Sequence, residues 1–569
     1  MDRNADRLFA ALAADCLDDR AQRHPEAATD LGDHRFDARL DDISAAALDD
    51  ERRALRNYAA RLAALDTAAL APEHRVDAAM LAGAVDLRSF QLDELREHTW
   101  NPLLANPGRA VYHLLARDFA PLPDRLAAAA GRLAAIPARL AAAREQLGAM
   151  PRVHLETAVS QFGGTMALIE TAIDAALADA PGSAAQIDRV RPAALAALAD
   201  HRAWLSARLE QAAADGTFAP ARLGAERFAR KLSLTLAAAA DADAILARAQ
   251  ADLDRVSEEI AELAGQLAAG GPPGARSAGG AADHGDPVVR RVLDRLGAEA
   301  ADDATILPFC RQALMTATAF ARDAGLVTLY SDPVEVIEMP ELDRGVAVAY
   351  CDSPGPLEPR SLPTFLAVSP TPAGWPAERV ASFYREYNQH MVHDLIVHEA
   401  MPGHYLQLQH SRRFTGSATA VRAALRSGSF VEGWAVYAEQ LMARHGYPGN
   451  GDPRTVRMQQ LKMQLRMIIN TILDARVHGH GMTEPEAMAL LTGRGYQEDG
   501  EAAGKWRRAL LTSAQLSTYY VGYTEVADLA AELTAAGPAG GAAGERSVHD
   551  QLLAHGSPPP RLLRTLLAG

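Results

Sequence analysis

The sequence predicts a mainly α-helical protein with a small β-sheet element, and three observations lead there. Apolar residues make up 49% of the 569 residues and aromatics only 5%. The core must therefore be built from Ala, Leu and Val, which suits close-packed helices better than sheets. Runs dense in Ala, Leu and Arg dominate residues 1–265, at 41–70, 126–150 and 193–213, and these are strong helix formers. Strand character is confined to one stretch, about 326–370.

Taken in order, residues 1–265 read as an N-terminal helical region serving as a wall. Residues 266–287 (QLAAGGPPGARSAGGAADHGDP) are rich in Gly, Pro and small side chains, and a flexible surface loop is expected. Residues 288–569 hold the rest, with helical pattern resuming at Pro287 and running to about Arg322. Short β-type runs follow at 334–337, 346–350 and 365–368, separated by Pro, Gly and Asp. The run 365–368 is expected to be an edge strand able to pair with an extended peptide. A helix begins near Pro376 and carries Val380, Phe383, Tyr387, Met391 and Leu395 on one stripe toward His398. Further helices are expected over 430–445, 457–477, 484–493 and 501–533, with a second flexible loop at 537–544.

Bulk properties exclude several classes. Lys plus Arg is 57 and Asp plus Glu is 72, a net charge of −15, which argues against nucleic acid or an anionic membrane as a general partner. Cys16, Cys310 and Cys351 are too few and too scattered for a disulfide framework or a thiolate metal site. The first residues carry charges at once and resemble no secretory signal. No run of about 18 uncharged apolar residues occurs, so no spanning helix is expected. A cytoplasmic protein, monomer or homodimer, is the expectation.

The chemistry concentrates in His398-Glu399-Ala400-Met401-Pro402-Gly403-His404, followed 28 residues later by Glu432. Two imidazoles and a carboxylate can hold Zn²⁺ with one position open for water, and Glu399 can take that water's proton. Paired zinc imidazoles on a helix usually stand four residues apart, on one face. In this chain the spacing is six. Six residues of ideal helix turn roughly 600° and rise about 9 Å, which would point the two rings about 120° apart. Pro402 removes a backbone donor and clashes with the preceding turn, so the helix must kink or end there. Gly403 permits a sharp return. The prediction is that this broken turn belongs to the site and swings His404 back toward His398.

Glu432 has a competing role, because Ser429-x-x-Glu432 also fits a helix capping box. Glu439, seven residues on, shares the face of Glu432 and is a candidate partner for an imidazole N–H, as is Asp394, one turn before His398. Gln515, Tyr519 and Tyr523 recur every four residues and share a helix face. A phenol there suits the oxyanion that forms when water attacks an amide carbonyl. Plain packing is the other reading of Tyr519 and Tyr520. His478 can stabilise an oxyanion or bind a substrate carboxylate, or can be an ordinary helix C-terminal His beside Gly479. His480 competes with it.

HEAMPGHYLQ, FVEGWAVYAE, LDARVHGHGMT and QLSTYYVG resemble, in order and spacing, the bacterial family catalogued as "domain of unknown function 885". The opening HPEAATDLGDHRFDARLDD and the ending SVHDQLLAHGSPPPRLL resemble it too, so the likeness spans essentially the whole chain. It implies a large, elongated, helical, gluzincin-like zinc metallopeptidase with a deep active-site channel. Thimet oligopeptidases, angiotensin-converting enzyme and the thermostable bacterial carboxypeptidases are its distant kin. The family's own motif form is HExxPGH. The resemblance implies His398, His404 and Glu432 as zinc ligands and Glu399 as base. It also matches Asp474 with His478, and Gln515 with Tyr519, Tyr520 and Gly522, to segments near the cleft. The expected function is zinc-dependent cleavage of peptide or amide bonds in short peptides, with metal-bound water activated by Glu399 and the oxyanion met by Tyr519 and His478. Two alternatives stay open: an amide hydrolase acting on a peptidic natural product or metabolite, and a non-catalytic helical binding protein that contains a metal.

Overall fold

The computed structural model describes residues 3–238, 241–270, 286–339, 344, 348–372, 374–536 and 542–567. It is mainly α-helical with one small sheet. The chain forms two compact units. One comprises Met1–Leu223, Pro354–Leu362 and Ser417–Leu425; the other comprises Gly224–Ser353, Pro363–Gly416 and Arg426–Gly569.

In the first unit the long helices Leu122–Gln146, Arg152–Asp179 and Ala184–Asp215 bury Leu133, Ile136, Phe162, Ile169 and Leu198 against one another. Leu122–Gln146 is by composition apolar enough to cross a membrane. Its Arg125, Arg132 and Arg139 are nevertheless buried. They are paired internally, with Asp118 (2.5 Å), the Thr29 hydroxyl (2.6 Å) and the Ala105 carbonyl (3.0 Å). Buried guanidinium groups are tolerated only with such partners.

The second unit starts before the Gly/Pro-rich stretch, because α1 (Ala242–Ala269) packs its Leu253, Val256 and Ile260 into that unit's core. α1 also extends into the stretch expected to be a loop. Of that stretch, 271–285 lie outside the described residues. Most of the second expected loop does too, and the helix Ala542–Leu553 begins within it.

The sheet consists of β1 (Val334–Glu338), β2 (Ala349–Asp352) and β3 (Thr364–Val368), in the order β1-β3-β2. β1 is parallel to β3 and β2 antiparallel to it. The run 365–368 is therefore in the central strand, not an edge. Its Leu366, Ala367 and Val368 are all buried, the near-continuous apolar run of a strand covered on both faces. β2 is an edge strand of the sheet, next to the site. The Ser369 N–H donates to the Val348 carbonyl at 2.8 Å. Ladder alternation then turns the main-chain groups of Ala349 and Cys351 away from β3.

The site is carried by α2 (Ala377–Glu386), α3 (Gln389–Glu399), α4 (His404–Arg412), α5 (Gly428–Arg444), α6 (Pro453–Gly479), α7 (Asp499–Leu511) and α8 (Thr518–Ala536). Two of the expected helices are each split. Between α2 and α3 the Asn388 side chain accepts from the His390 and Met391 N–H groups, both at 3.2 Å. An Asn offering such a cap starts a new helix rather than continuing an old one. Between α7 and α8 the chain leaves helical geometry at 512–517, with Ala514 at φ 63°. The crossing of α5 and α8 explains two glycines. A Cβ on Gly522 would stand 1.9 Å from the Ser429 carbonyl oxygen, and one on Gly433 2.3 Å from the Gly522 carbonyl carbon. Only residues without a side chain let the two backbones approach so closely. That contact seats Tyr519 of α8 beside Glu432 of α5.

Candidate metal centre

α3 ends at Glu399, and α4 starts at His404 with Gly403 as its N-cap. The turn between them is tightly bonded. The Ala400 and Met401 N–H groups both donate to the Ile396 carbonyl (2.9 and 3.2 Å), and Gly403 N–H donates to the Val397 carbonyl at 2.9 Å. A Cβ on Gly403 would lie 1.9 Å from the His398 carbonyl oxygen, so the turn requires glycine. The indole N–H of buried Trp434, on α5, donates to the Pro402 carbonyl at 2.8 Å. The broken turn thus does what its sequence predicts: the His398 and His404 rings lie 4.7 Å apart at 82° to one another.

Glu432 completes the cluster. Its Oε2 lies 3.4 Å from Nε2 of both His398 and His404, and the three potential ligand atoms all fall within 4.8 Å of one another. The capping role falls to Ser427, whose hydroxyl accepts from Phe430 N–H at 3.3 Å. Nε2 of His398 is left as the site-facing nitrogen, because Nδ1 donates to Glu439 Oε1 at 2.6 Å. Such a carboxylate orients a ligating imidazole and fixes its tautomer. Asp394 is buried behind this pair. Burial and the nearby Glu439 hold its carboxyl well above the usual range.

These residues fit a divalent metal. Donors about 2.0–2.1 Å from a tetrahedral zinc ion stand roughly 3.3 Å from one another, close to the two 3.4 Å separations seen. Glu432 Oε2 is buried without a hydrogen bond, an arrangement that costs free energy unless a cation meets it. Burial works against charge on His398, but the carboxylates of Glu432 and Glu439 outweigh it and hold its pKa well above the usual imidazole range. Burial likewise opposes ionisation of Glu432, yet His404 and His398 hold its carboxyl well below the usual range. The cluster favours positive charge, which a metal ion supplies.

Glu399 points elsewhere. Its Oε2 accepts the Cys351 N–H of edge strand β2 at 2.9 Å. With the three-donor cluster it lines one cavity of about 370 Å³. Tyr519 lines that cavity too, its hydroxyl 3.3 Å from an Arg508 guanidinium nitrogen. The Glu432 carboxylate, with burial, pushes the Tyr519 phenol up, so it stays protonated and able to donate.

The remaining predicted site residues have other tasks. His478 is 3% exposed; its Nε2 lies 2.9 and 2.8 Å from the carbonyls of Ala509 and Thr512, and it stacks on Phe228. It holds the C-terminus of α7 rather than facing the cavity. His480 is the residue following α6. Asp474 accepts the N–H groups of Ala514 and Ser517 and the Ser517 hydroxyl. It pins the 512–517 connection, and burial pushes its carboxyl up to about 6. Tyr520 donates to Asp252 of α1 at 2.7 Å. Tyr523 is buried, 3.4 Å from the Gln464 side-chain nitrogen. Gln515 precedes α8 rather than sharing its face, and accepts from Arg508 at 2.8 Å.

The sequence reading missed four polar residues that line the cavity: Arg466 and Asn470 of α6, and Lys505 and Arg508 of α7. Each pair has the four- or three-residue spacing of one helix face, the signal that could have found them.

A mainly α-helical unit with a small mixed sheet carries a His-His-Glu cluster at one cavity, with both imidazoles buried and the carboxylate half-buried. The chain belongs to the bacterial family of proteins of unknown function DUF885, whose pattern it matches over residues 25–567. Its fold is similar to that of a protein from Shewanella oneidensis described as a "putative lipoprotein of unknown function". The two share 29% identity with a TM-score of 0.81, over 99% of this chain and 100% of that one. A structure from Colwellia psychrerythraea, described with the same first two words, has the same fold: TM-score 0.74 at 16% identity, over 99% of each chain. No protein of curated function matches the sequence.

Proposed function

We propose that the protein is a zinc-dependent hydrolase of peptide or amide bonds in short peptides. One observation carries the reading: His398, His404 and Glu432 each present a potential ligand atom within 4.8 Å of the others, beside a carboxylate that belongs to none of the three. A bound divalent ion would supply a Lewis acid, polarising a carbonyl and acidifying water. Glu399 is the general base. With Oε2 held by the Cys351 N–H, its other oxygen takes the proton of the attacking water and later returns it to the departing nitrogen. The Tyr519 phenol donates to the oxyanion that develops as water adds to the carbonyl. The outward main-chain groups of Ala349 align an extended peptide along β2 by strand addition.

A cavity of about 370 Å³ suits a short peptide or a compact peptidic metabolite, not a folded chain. The test is to load the protein with zinc and incubate it with a mixed peptide library, reading cut positions by mass spectrometry, beside a Glu399→Gln variant. Cleavage by the native chain, its loss in the variant and equal zinc in both support the reading. A native chain that holds zinc and cuts nothing removes it.

A further inference from the structure

The cavity has a second pole. Besides the three-donor cluster, α6 and α7 bring Arg466, Lys505, Arg508 and Asn470 to the same space. Arg466 is already neutralised: it bonds the Glu501 carboxylate and lies 3.6 Å from Glu386. Lys462 offsets Glu386 from the other side, at 2.8 Å. Those four charges cancel.

Lys505 and Arg508 have no such partner. The ammonium of Lys505 belongs to a residue 5% exposed, and it makes no hydrogen bond or ion pair among the described residues. Burial, with repulsion from Arg466, pushes it well below the usual lysine range. Among the described residues the Arg508 guanidinium bonds only neutral oxygens, Gln515 Oε1 and the Tyr519 hydroxyl. Asn470 is also 5% exposed, and its side-chain oxygen is buried without a partner. A buried amine whose charged form burial disfavours and a guanidinium that meets only neutral oxygens, at one cavity wall, leave both groups without an anionic partner. An entering anion would supply one.

We infer that Lys505 and Arg508 form a carboxylate-binding site that anchors the substrate's anionic end, making the cleavage carboxy-directed, while the Asn470 side-chain oxygen beside them accepts a peptide N–H. This rests on the hydrolase reading above. A peptide backbone carries one anion, its C-terminus, and that always lies on the amine-product side of the bond to be cut. The Arg508 guanidinium repels an N-terminal ammonium, which disfavours amino-directed cleavage. The Tyr519 hydroxyl touches Arg508 and also feels the Glu432 carboxylate, so the phenol links the anchor to the metal centre. A peptide spanning the two is short.

The test is binding, measured without turnover. Full-length protein carrying Glu399→Gln is treated with chelator and dialysed, so that no metal offers a rival carboxylate ligand. Calorimetry then compares three probes: N-acetyl-Ala-Ala-Ala as free acid, its C-terminal amide, and N-acetyl-Ala-Ala-Glu amide. The free acid should bind about tenfold tighter than the alanine amide or better, as expected for charge-assisted bonds. Lys505→Met and Arg508→Gln should each erase most of that difference. Lys505→Met should melt no lower than the parent, since it removes a buried amine that has no partner among the described residues, and so separates anchoring from folding. If the glutamyl amide matches the free acid, the anchor holds an acidic side chain as well as a terminus. Equal or undetectable binding of all three probes overturns the site, as does a preference that survives both substitutions. Peptide hydrolysis without that preference removes the anchor alone. A Lys505-dependent preference without any hydrolysis removes the hydrolase reading alone.

Discussion

Two clusters of polar residues in the second unit look alike in sequence and behave differently in space. The first, His398 to Glu439, converges on one point, with three donors facing inward and Glu439 bracing His398 from behind. The second, Asp474 to Tyr523, disperses. Asp474 and His478 bond backbone groups around α7 and α8, Tyr520 reaches Asp252, and only Tyr519 faces the cavity. The difference teaches that a polar residue near a site is placed by the helix face it occupies, and that a buried polar residue is more often satisfied by loose backbone ends than by substrate.

Substitutions can break or sharpen that contrast. The largest effect is expected at Glu399. Glu399→Gln should cut peptide turnover by about 10²–10⁴-fold with zinc content and melting temperature unchanged; matching rates for variant and parent would remove Glu399 as the base. Tyr519→Phe should lower kcat by about 10²–10³-fold, whereas Tyr520→Phe should leave kcat alone and lower stability by about 1 kcal/mol for the lost bond to Asp252. Kinetics and thermal melts of the two variants check this, and equal kcat values would erase the distinction.

Glu439→Gln should weaken zinc affinity by about 10–100-fold without abolishing it, read by competition with a chelating dye. Gly522→Ala should destabilise the fold by about 1–3 kcal/mol or more, because its methyl would meet the Ser429 carbonyl; a denaturant melt matching the parent would contradict the tight crossing.

The smallest effect is a pH slope. Burial pushes the Asp474 carboxyl up to about 6 in the folded chain, above the 3.8 of an exposed aspartate. The folded state thus binds more protons between those values, so this group's contribution is full below pH 3.8 and is lost as pH rises through about 6. Relative to Asp474→Asn, the parent should lose stability from pH 4 to 6; a constant difference between the two melts would show that the group does not titrate there.

Much of the candidate metal centre was legible in the sequence because its geometry is local. Pro402 and Gly403 announce a broken helix between two imidazoles, and the structure has that break. Helix content followed from composition, and the three strands from their β-type runs. What was not legible depended on side-chain direction and on partners distant in sequence. Central placement of β3 depends on β1 and β2 both choosing it. The splits at Asn388 and at 512–517 depend on a cap and on Asp474 reaching across from α6. Lys505 and Arg508 resemble any exposed basic pair on a helix until α6 is set against them.

The central claim is that His398, His404 and Glu432 jointly hold one metal ion. Its most direct test is zinc stoichiometry by mass spectrometry on the dialysed native chain and on Glu432→Ala, His404→Ala and His478→Gln. The account predicts one zinc per chain in the native protein and in His478→Gln, and little or none in the other two. A native chain that holds no zinc, or Glu432→Ala and His404→Ala chains that keep it in full, would contradict the account.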